Sequence, residues 1–441
     1  MYLFRSLSLS LALGTALVAP AQAQSLVELL NAARSYDAPW QSAKAQLDAS
    51  IARADQARAG LLPSAALSGE IARAKTDVTM PPISASMTTH TLGINAAQPL
   101  YRPANRITLQ QGLRGIDVAQ AQLDAATQDL LVRVSQGYFD VLAAQDTLAF
   151  VQAQKAAVSE QLAAAKRNFE VGTSTITDTR EAQARYDLVT AQEVAAENDL
   201  RVKKLALDQL VGRNGTQPLP LAIPLPLPAL EPADVSVWVQ QSQDGQPLVR
   251  QAAIALDVAQ LETQKAQTGH LPTVDLQAGY NVQRSPNGTM TLPGINSRVT
   301  SASIGVALNL PLFAGFAVQN RVKETLALED KARADLDNLR RTVAQNTRAA
   351  FYGVQSGQGQ VKALEAAELS SQSALDANKL GYQVGVRINI DVLNAQSQLY
   401  QTKRDLAQAR YNVLLGTLKL RQAAGTLSEA DVQAIDALLA K

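Results

Sequence analysis

NFEVGTSTITDTREAQARYD at residues 168–187 and GYQVGVRINIDVLNAQSQLY at residues 381–400 are two versions of one text. Each sets a Val-Gly pair into a long helical pattern, and an Asp follows six residues after the Gly. Glycine reverses a backbone at positive φ without the steric cost other residues incur. Each stretch therefore reads as a tight turn between two helices. Aligning Gly172 with Gly385 gives an offset of 213 residues (385 − 172 = 213). The same offset carries Tyr138-Phe139 to Phe351-Tyr352, Asp178 to Asp391, Gln183 to Gln396, and Gln209 with Gly212 to Gln422 with Gly425.

Working outward, the match continues with small gaps. GLLPSAALSGE from Gly60 resembles GHLPTVDLQAGY from Gly269, and QPLYRPANR from Gln98 resembles LPLFAGFAVQNR from Leu310. The chain thus divides into 24–212 and 233–425, joined by a Pro-rich connector at 213–232 and followed by a terminal segment at 426–441. Alternating Pro excludes helix from the connector and favours an extended strap. Each half has one order: a helix of about 35 residues or fewer ending near a Leu-Pro, a β-hairpin, a very long helix, the Val-Gly turn, and a returning helix of roughly 35 residues. The long patterns run from about Pro103 to Glu170 and from about Phe316 to Gln383. At about 1.5 Å per residue such rods approach 100 Å and need coiled-coil-like neighbours.

The hairpins decide whether a membrane is involved. In TVDLQAGYNVQR, Val274, Leu276, Ala278, Tyr280 and Val282 alternate with Asp275, Gln277, Gly279, Asn281 and Gln283. In SASIGVALNLPL, Ala302, Ile304, Val306 and Leu308 alternate with Ser301, Ser303, Gly305 and Asn309. This is the period and length of a tilted membrane-spanning strand, and equally of one side of a soluble sheet. Four strands cannot close a barrel and open edges cannot face lipid, so a membrane role requires several chains to pool strands. In the first half THTLGINAAQPL alternates well. SAALSGEIARAK changes parity near Ile71, which suggests a bulge and leaves Arg73 and Lys75 near the hairpin tip.

Composition narrows the classes. The 441 residues carry a formal net charge of +1, which gives no electrostatic pull toward nucleic acid. With no cysteine there are no disulfides, thiolate metal sites or Cys nucleophiles. The two histidines, His90 and His270, stand in unlike contexts, and no metal-spaced cluster or phosphate-binding Gly loop is legible. No catalytic residue, metal site or cofactor is expected. Arg5, the apolar run SLSLSLALGTALV and the small residues Ala21 and Ala23 read as a signal peptide over 1–23. No later segment is apolar for long enough to be a transmembrane helix.

QPLYRPANR, GYFDVLAAQ, VGTSTITDTREAQARYD and YQVGVRINIDVLNAQSQLYQTKRDLAQARYNVL resemble the TolC family of outer-membrane efflux channels, and the resemblance spans nearly the whole mature chain. It implies an α+β membrane protein with an internally duplicated, antiparallel coiled-coil tunnel. Four strands per protomer would enter a shared twelve-stranded barrel of a homotrimer, in the outer membrane of a Gram-negative bacterium with a large periplasmic part. It implies a passive exit duct for a tripartite efflux pump or type I secretion system. The partners would be a periplasmic adaptor, an inner-membrane transporter of RND, ABC or MFS type, and outer-membrane lipid. Some members are lipoproteins with an N-terminal Cys; this chain has none.

The resemblance also gives the turns a role, at the periplasmic end of the tunnel. Val171, Gly172, Val384 and Gly385 would be the tips on which an adaptor docks. Asp391 matches an acidic ring at the pore constriction, while the place of a second ring is held by Asn394, which weakens the expected cation trap. Thr177, Asp178, Tyr382 and Arg387 match residues that tie neighbouring hairpins together. Against this, an Asp in the first turn of a helix is also an ordinary capping residue. The competing class is a periplasmic adaptor or coiled-coil scaffold, which would not need apolar strand faces.

Overall fold

A computed structural model describes residues 23–80, 82–222, 227–289 and 294–440; the segment read as a signal peptide lies, but for its last residue, outside them. The first half opens with α1 (Leu26–Tyr36) and α2 (Ala38–Ala59), where one helix was expected. The second half repeats the split with α5 (Val235–Gly245) and α6 (Pro247–Gln267). The cause is the same in both. The Asp37 side chain accepts from the Trp40 N–H, and the Gln246 side chain accepts from the N–H groups of Leu248 and Val249. Each caps a new helix, with Pro39 or Pro247 in its first turn where a missing N–H costs nothing.

The strands β1 (Ser64–Thr79) and β2 (Pro82–Tyr101) follow α2, and β3 (Thr273–Ser285) and β4 (Ser297–Asn309) follow α6. They form one antiparallel sheet in the order β1-β2-β3-β4, so β2–β3 pairing joins the two halves and β1 and β4 are left as edges. The pairing of β1 with β2 runs unbroken from Ser64↔Ala97 to Thr79↔Pro82. The bulge expected near Ile71 is absent: pairing is kept and only the chemistry of the face changes. The sheet's register shift falls instead between Pro99 and Tyr101, where a proline cannot donate to the ladder.

Two rods complete the frame, α3 (Pro103–Glu170) with 68 residues and α7 (Ala317–Gln383) with 67, returning as α4 (Ile176–Val211) and α8 (Asn389–Ala424). At about 1.5 Å per residue each rod is roughly 100 Å long. Both returning helices end on a glycine in the left-handed region, Gly212 at φ 68° and Gly425 at φ 74°. Among the described residues, no helix is long and apolar enough to cross a membrane.

The main core sits part-way along the rods. Leu26, Leu29 and Leu30 of α1 pack there with Leu131, Tyr138, Phe139, Leu207, Tyr411, Leu414 and Leu418, closed by Ile435 of the short helix α9 (Glu429–Asp436). Tyr138 donates to the Leu219 carbonyl at 2.8 Å, pinning the connector to α3. The repeat shows in ring geometry as well as order. Tyr138–Phe139 and Phe351–Tyr352 are both edge-to-face, at 5.9 and 5.5 Å between centroids.

One ion pair fixes α1 and α2 to the rod: Arg133 donates to both oxygens of Asp37, at 2.8 and 3.0 Å. The Arg133 hydrogen bonds hold the buried Asp37 carboxyl below the usual carboxylate range, against the opposing effect of burial. A depressed pKa contributes stability that is complete well above the unfolded value of about 3.9 and is lost as pH falls through the folded value. Asp37→Asn is expected to cost about 2 kcal/mol at neutral pH and to flatten the acid limb of the stability profile. Thermal unfolding in detergent between pH 7 and 3 checks this; parallel profiles for both proteins would discard the pair as the source.

Candidate functional site

The two Val-Gly turns are the same structure built twice. At the end of α3 the Gly172 N–H donates to the Phe169 carbonyl at 3.0 Å, and at the end of α7 the Gly385 N–H donates to Tyr382 at 3.1 Å. Both glycines lie at φ 78°. Thr173 and Ser174 then return to the Asn168 carbonyl as Val386 and Arg387 return to Gly381, so the last carbonyls of each rod are satisfied within the turn. The Arg387 side chain packs over Gly381, where a Cβ would stand 2.7 Å from the Arg387 Cγ and would displace it.

The turns differ in how the next helix starts. Thr175 caps α4 in a reciprocal box: the Asp178 N–H donates to Thr175 Oγ1 at 3.3 Å, and the Thr175 N–H donates to Asp178 Oδ2 at 2.9 Å. The equivalent cap position of α8 is Ile388, which has no side-chain acceptor. Asp391 is therefore not drawn into a box, and its carboxylate lies 3.7 Å from Arg387 Nη1. The capping explanation holds for Asp178 and gives way to an ion pair for Asp391. Within one protomer Arg387 meets Asp391 rather than Asp178.

The Arg387–Asp391 pair is internal to the second hairpin, and other groups tie the two hairpins together. Asn168 Nδ2 donates to the Tyr382 hydroxyl at 3.2 Å. Buried Asn389 donates to the Asp178 carbonyl at 3.4 Å and accepts from Gln161 Nε2. Arg185 donates to Asn394 Oδ1 at 2.8 Å, so Asn394 of α8 is held by a cation from α4. Thr177 is exposed and joins none of these links among the described residues. Below them Ile390 and Leu393 pack on Val158, Leu162 and Val189, while Val392 packs on Leu375 with Tyr382 alongside. At the very end Val171, Ile176, Val384, Val386 and Ile388 are exposed, an apolar rim on both turns.

Tyr382, Arg387, Asp178, Asp391 and Asn394 of this network are expected from the sequence, whereas Gln161, Asn168, Arg185 and Asn389 are not. Asn389 carried a usable signal: an amide directly after a helix start, on the face of Val392, Leu393 and Gln396, all buried. The other three look like any polar residue on a rod. Among the described residues no group of His, Cys, Asp and Glu is arranged to hold a metal.

At the opposite end, the sheet has two faces. Register places Leu67, Ile94, Tyr280 and Ala302 on one rung, with Ala65, Ala96, Ala278 and Ile304 on the same side. The other side carries Ala66, Asn95, Gly279 and Ser303, then Ser68, Gly93, Asn281 and Ser301. The apolar face is open in the single chain, with Ile304 77% and Leu308 69% exposed. Where the sheet meets the rods, Arg102 grips Asp275 with two bonds of 2.7 and 2.6 Å.

The family described as outer membrane efflux protein matches the chain twice, over residues 29–213 and 238–426. The outer membrane protein TolC of Vibrio cholerae is 35% identical over 98% of this chain and 97% of its own. The proteases secretion protein PrtF of Dickeya chrysanthemi is 29% identical over 95% of this chain and 91% of its own. The solved outer membrane protein VceC of Vibrio cholerae superposes with a TM-score of 0.77 at 20% identity, covering 91% of this chain and 96% of that one.

Proposed function

The chain belongs to the outer membrane efflux protein family and is an outer-membrane exit duct with a large periplasmic part, and from that premise we propose that three copies pool twelve strands into one barrel and their rods into one tunnel, closed at the Val-Gly tips. The observation that carries this is the sheet: four strands, two unpaired edges, one exposed apolar face and one small polar face. Such a sheet cannot stand alone in lipid, and three of them joined edge to edge make a wall with an apolar outside and a wet inside. The same reading divides the chain into halves 24–212 and 233–425, with the connector as a strap around the tunnel.

The duct does no chemistry on its cargo. Energy would come from an inner-membrane transporter acting through a periplasmic adaptor that seats on the exposed rim around Val171, Ile176, Val384 and Val386. The tip would act as the gate. Asn389 holds α8 to the first hairpin, the Asn168–Tyr382 bond joins the ends of the two rods, Arg387 steadies the Asp391 carboxylate, and Asp391 lines the constriction. A scaffold or adaptor is disfavoured, because neither has a use for an apolar face on every strand. Since one relative is named for protease secretion, polypeptides join small molecules as proposed cargo. Drug efflux and protein secretion, assayed together in a strain lacking its own channel, test this; restoration of neither would refute the duct.

Three Asp391 carboxylates near one axis form a ring that attracts cations, and Asn394 adds no charge to it. Asp391→Ala is therefore expected to weaken block of single channels by a trivalent cation by roughly tenfold. Equal block in both proteins would remove Asp391 from the pore lining.

A further inference from the structure

The outer face of the sheet is apolar low down and basic higher up. Register sets Ile71, His90, Arg284 and Arg298 side by side across all four strands. By the alternation of strands these share the face of Leu67, Ile94, Tyr280 and Ala302, the side read as facing lipid. Arg73 and Lys75 continue the same face toward the β1–β2 turn. All five basic side chains are exposed.

Little in the chain neutralises them. Lys75 has Asp77 at 3.7 Å, and Arg73 Nε donates to Ser86 Oγ at 3.5 Å. Glu70, in register with Thr91 and Gln283, is on the opposite face. Among the described residues the side chains of Arg284 and Arg298 have neither a hydrogen bond nor an ion pair. Like charges directly opposite one another destabilise an antiparallel pair. Arg284 and Arg298 are such a pair, with an imidazole on the next strand. The arrangement calls for an anion.

Height says which anion. From Val274 to Arg284, at about 3.4 Å per residue and a tilt of about 40°, the strand climbs roughly 25 Å, which is the height of a barrel's apolar band. The rung therefore sits where the hydrocarbon ends and headgroups begin, on the side away from the helices. Guanidinium forks suit phosphate oxygens. We infer that Arg284 and Arg298, with His90 beside them and Arg73 and Lys75 above, form a seat for a phosphate-bearing lipid headgroup of net negative charge in the outer leaflet. This rests on the barrel reading above.

Native mass spectrometry of the full-length protein in detergent, titrated with phosphatidylglycerol, phosphatidylcholine or inorganic phosphate, tests it. Wild type is expected to retain phosphatidylglycerol in preference to phosphatidylcholine, with no tight binding of inorganic phosphate. R284Q/R298Q should need about thirtyfold more phosphatidylglycerol, at about fivefold per lost charge near an anionic surface. R73Q/K75Q gives a second, independent loss should the first variant fail to assemble. R340Q/R341Q, exposed on α7, removes the same charge elsewhere and should keep the wild-type curve. Equal retention of both lipids, unchanged binding in the basic-rung variants, or equally tight inorganic phosphate would overturn the seat. The same spectra report the trimer: a trimer without lipid preference sinks this inference alone, whereas a lone monomer sinks the duct.

Discussion

Ile304→Arg is expected to empty the outer membrane of this protein, while Ser303→Arg, one residue away, leaves it there. Ile304 lies near mid-height on the apolar face, opposite Ala278, and is 77% exposed in the single chain. An arginine at the midplane of a barrel's lipid face costs about 2–4 kcal/mol. Three copies bring this to about 6–12 kcal/mol, comparable to the whole stability of a typical fold, about 5–15 kcal/mol. Ser303 shares the other face with Asn95 and Gly279, where the added charge meets water. Outer-membrane fractions run on gels without boiling would show the trimer band lost for the first variant and kept for the second. If both survive or both vanish, the face is not in lipid.

The second large effect concerns the tip. Tyr382→Phe with Arg387→Ser removes the Asn168–Tyr382 bond and the Arg387–Asp391 pair. The Arg387–Asp391 pair is exposed and lies within the turn and the start of α8, so it holds no neighbouring helix. The Asn168–Tyr382 bond, which does cross between hairpins, is worth about 1 kcal/mol per chain. If the three chains open together, about 3 kcal/mol shifts the ratio of open to closed channels by roughly a hundredfold. Mean single-channel conductance in planar bilayers should rise. Cation block should strengthen too, because Asp391 loses its counter-charge. Unchanged conductance would exclude these links as the gate and leave the buried amide of Asn389 as the group to replace next.

Why some features were legible and others not follows from range. The rods end where the sequence said, Glu170 and Gln383, because a Val-Gly break inside a helical period is a local signal. The splits at Asp37 and Gln246 were local too, each a side-chain cap before a proline, but were masked by the continuous pattern around them. The first hairpin misled for a different reason. Residues after Ile71 look like a broken alternation only if the outer face stays apolar throughout, and it does not once Arg284 and Arg298 are its neighbours on other strands. At the tip, the resemblance groups Arg387 with Asp178 among residues that tie neighbouring hairpins, and the intrachain partner Asp391 is visible only with the turn built. The amide links of Asn168, Gln161 and Asn389 cross between hairpins more than two hundred residues apart, and no one-dimensional pattern records them.

Thr175 and Ile388 occupy equivalent places, yet only the first seals its helix with its own hydroxyl. A side-chain cap is worth about 1 kcal/mol, so the leading turn of α8 frays about five times as readily as that of α4. In the proposed trimer, thermal agitation would then find three weak starts around the ring instead of six. Unzipping would begin at α8 while α4 stays wound, so a duplicated design would yield alternating fixed and yielding members through the loss of one cap.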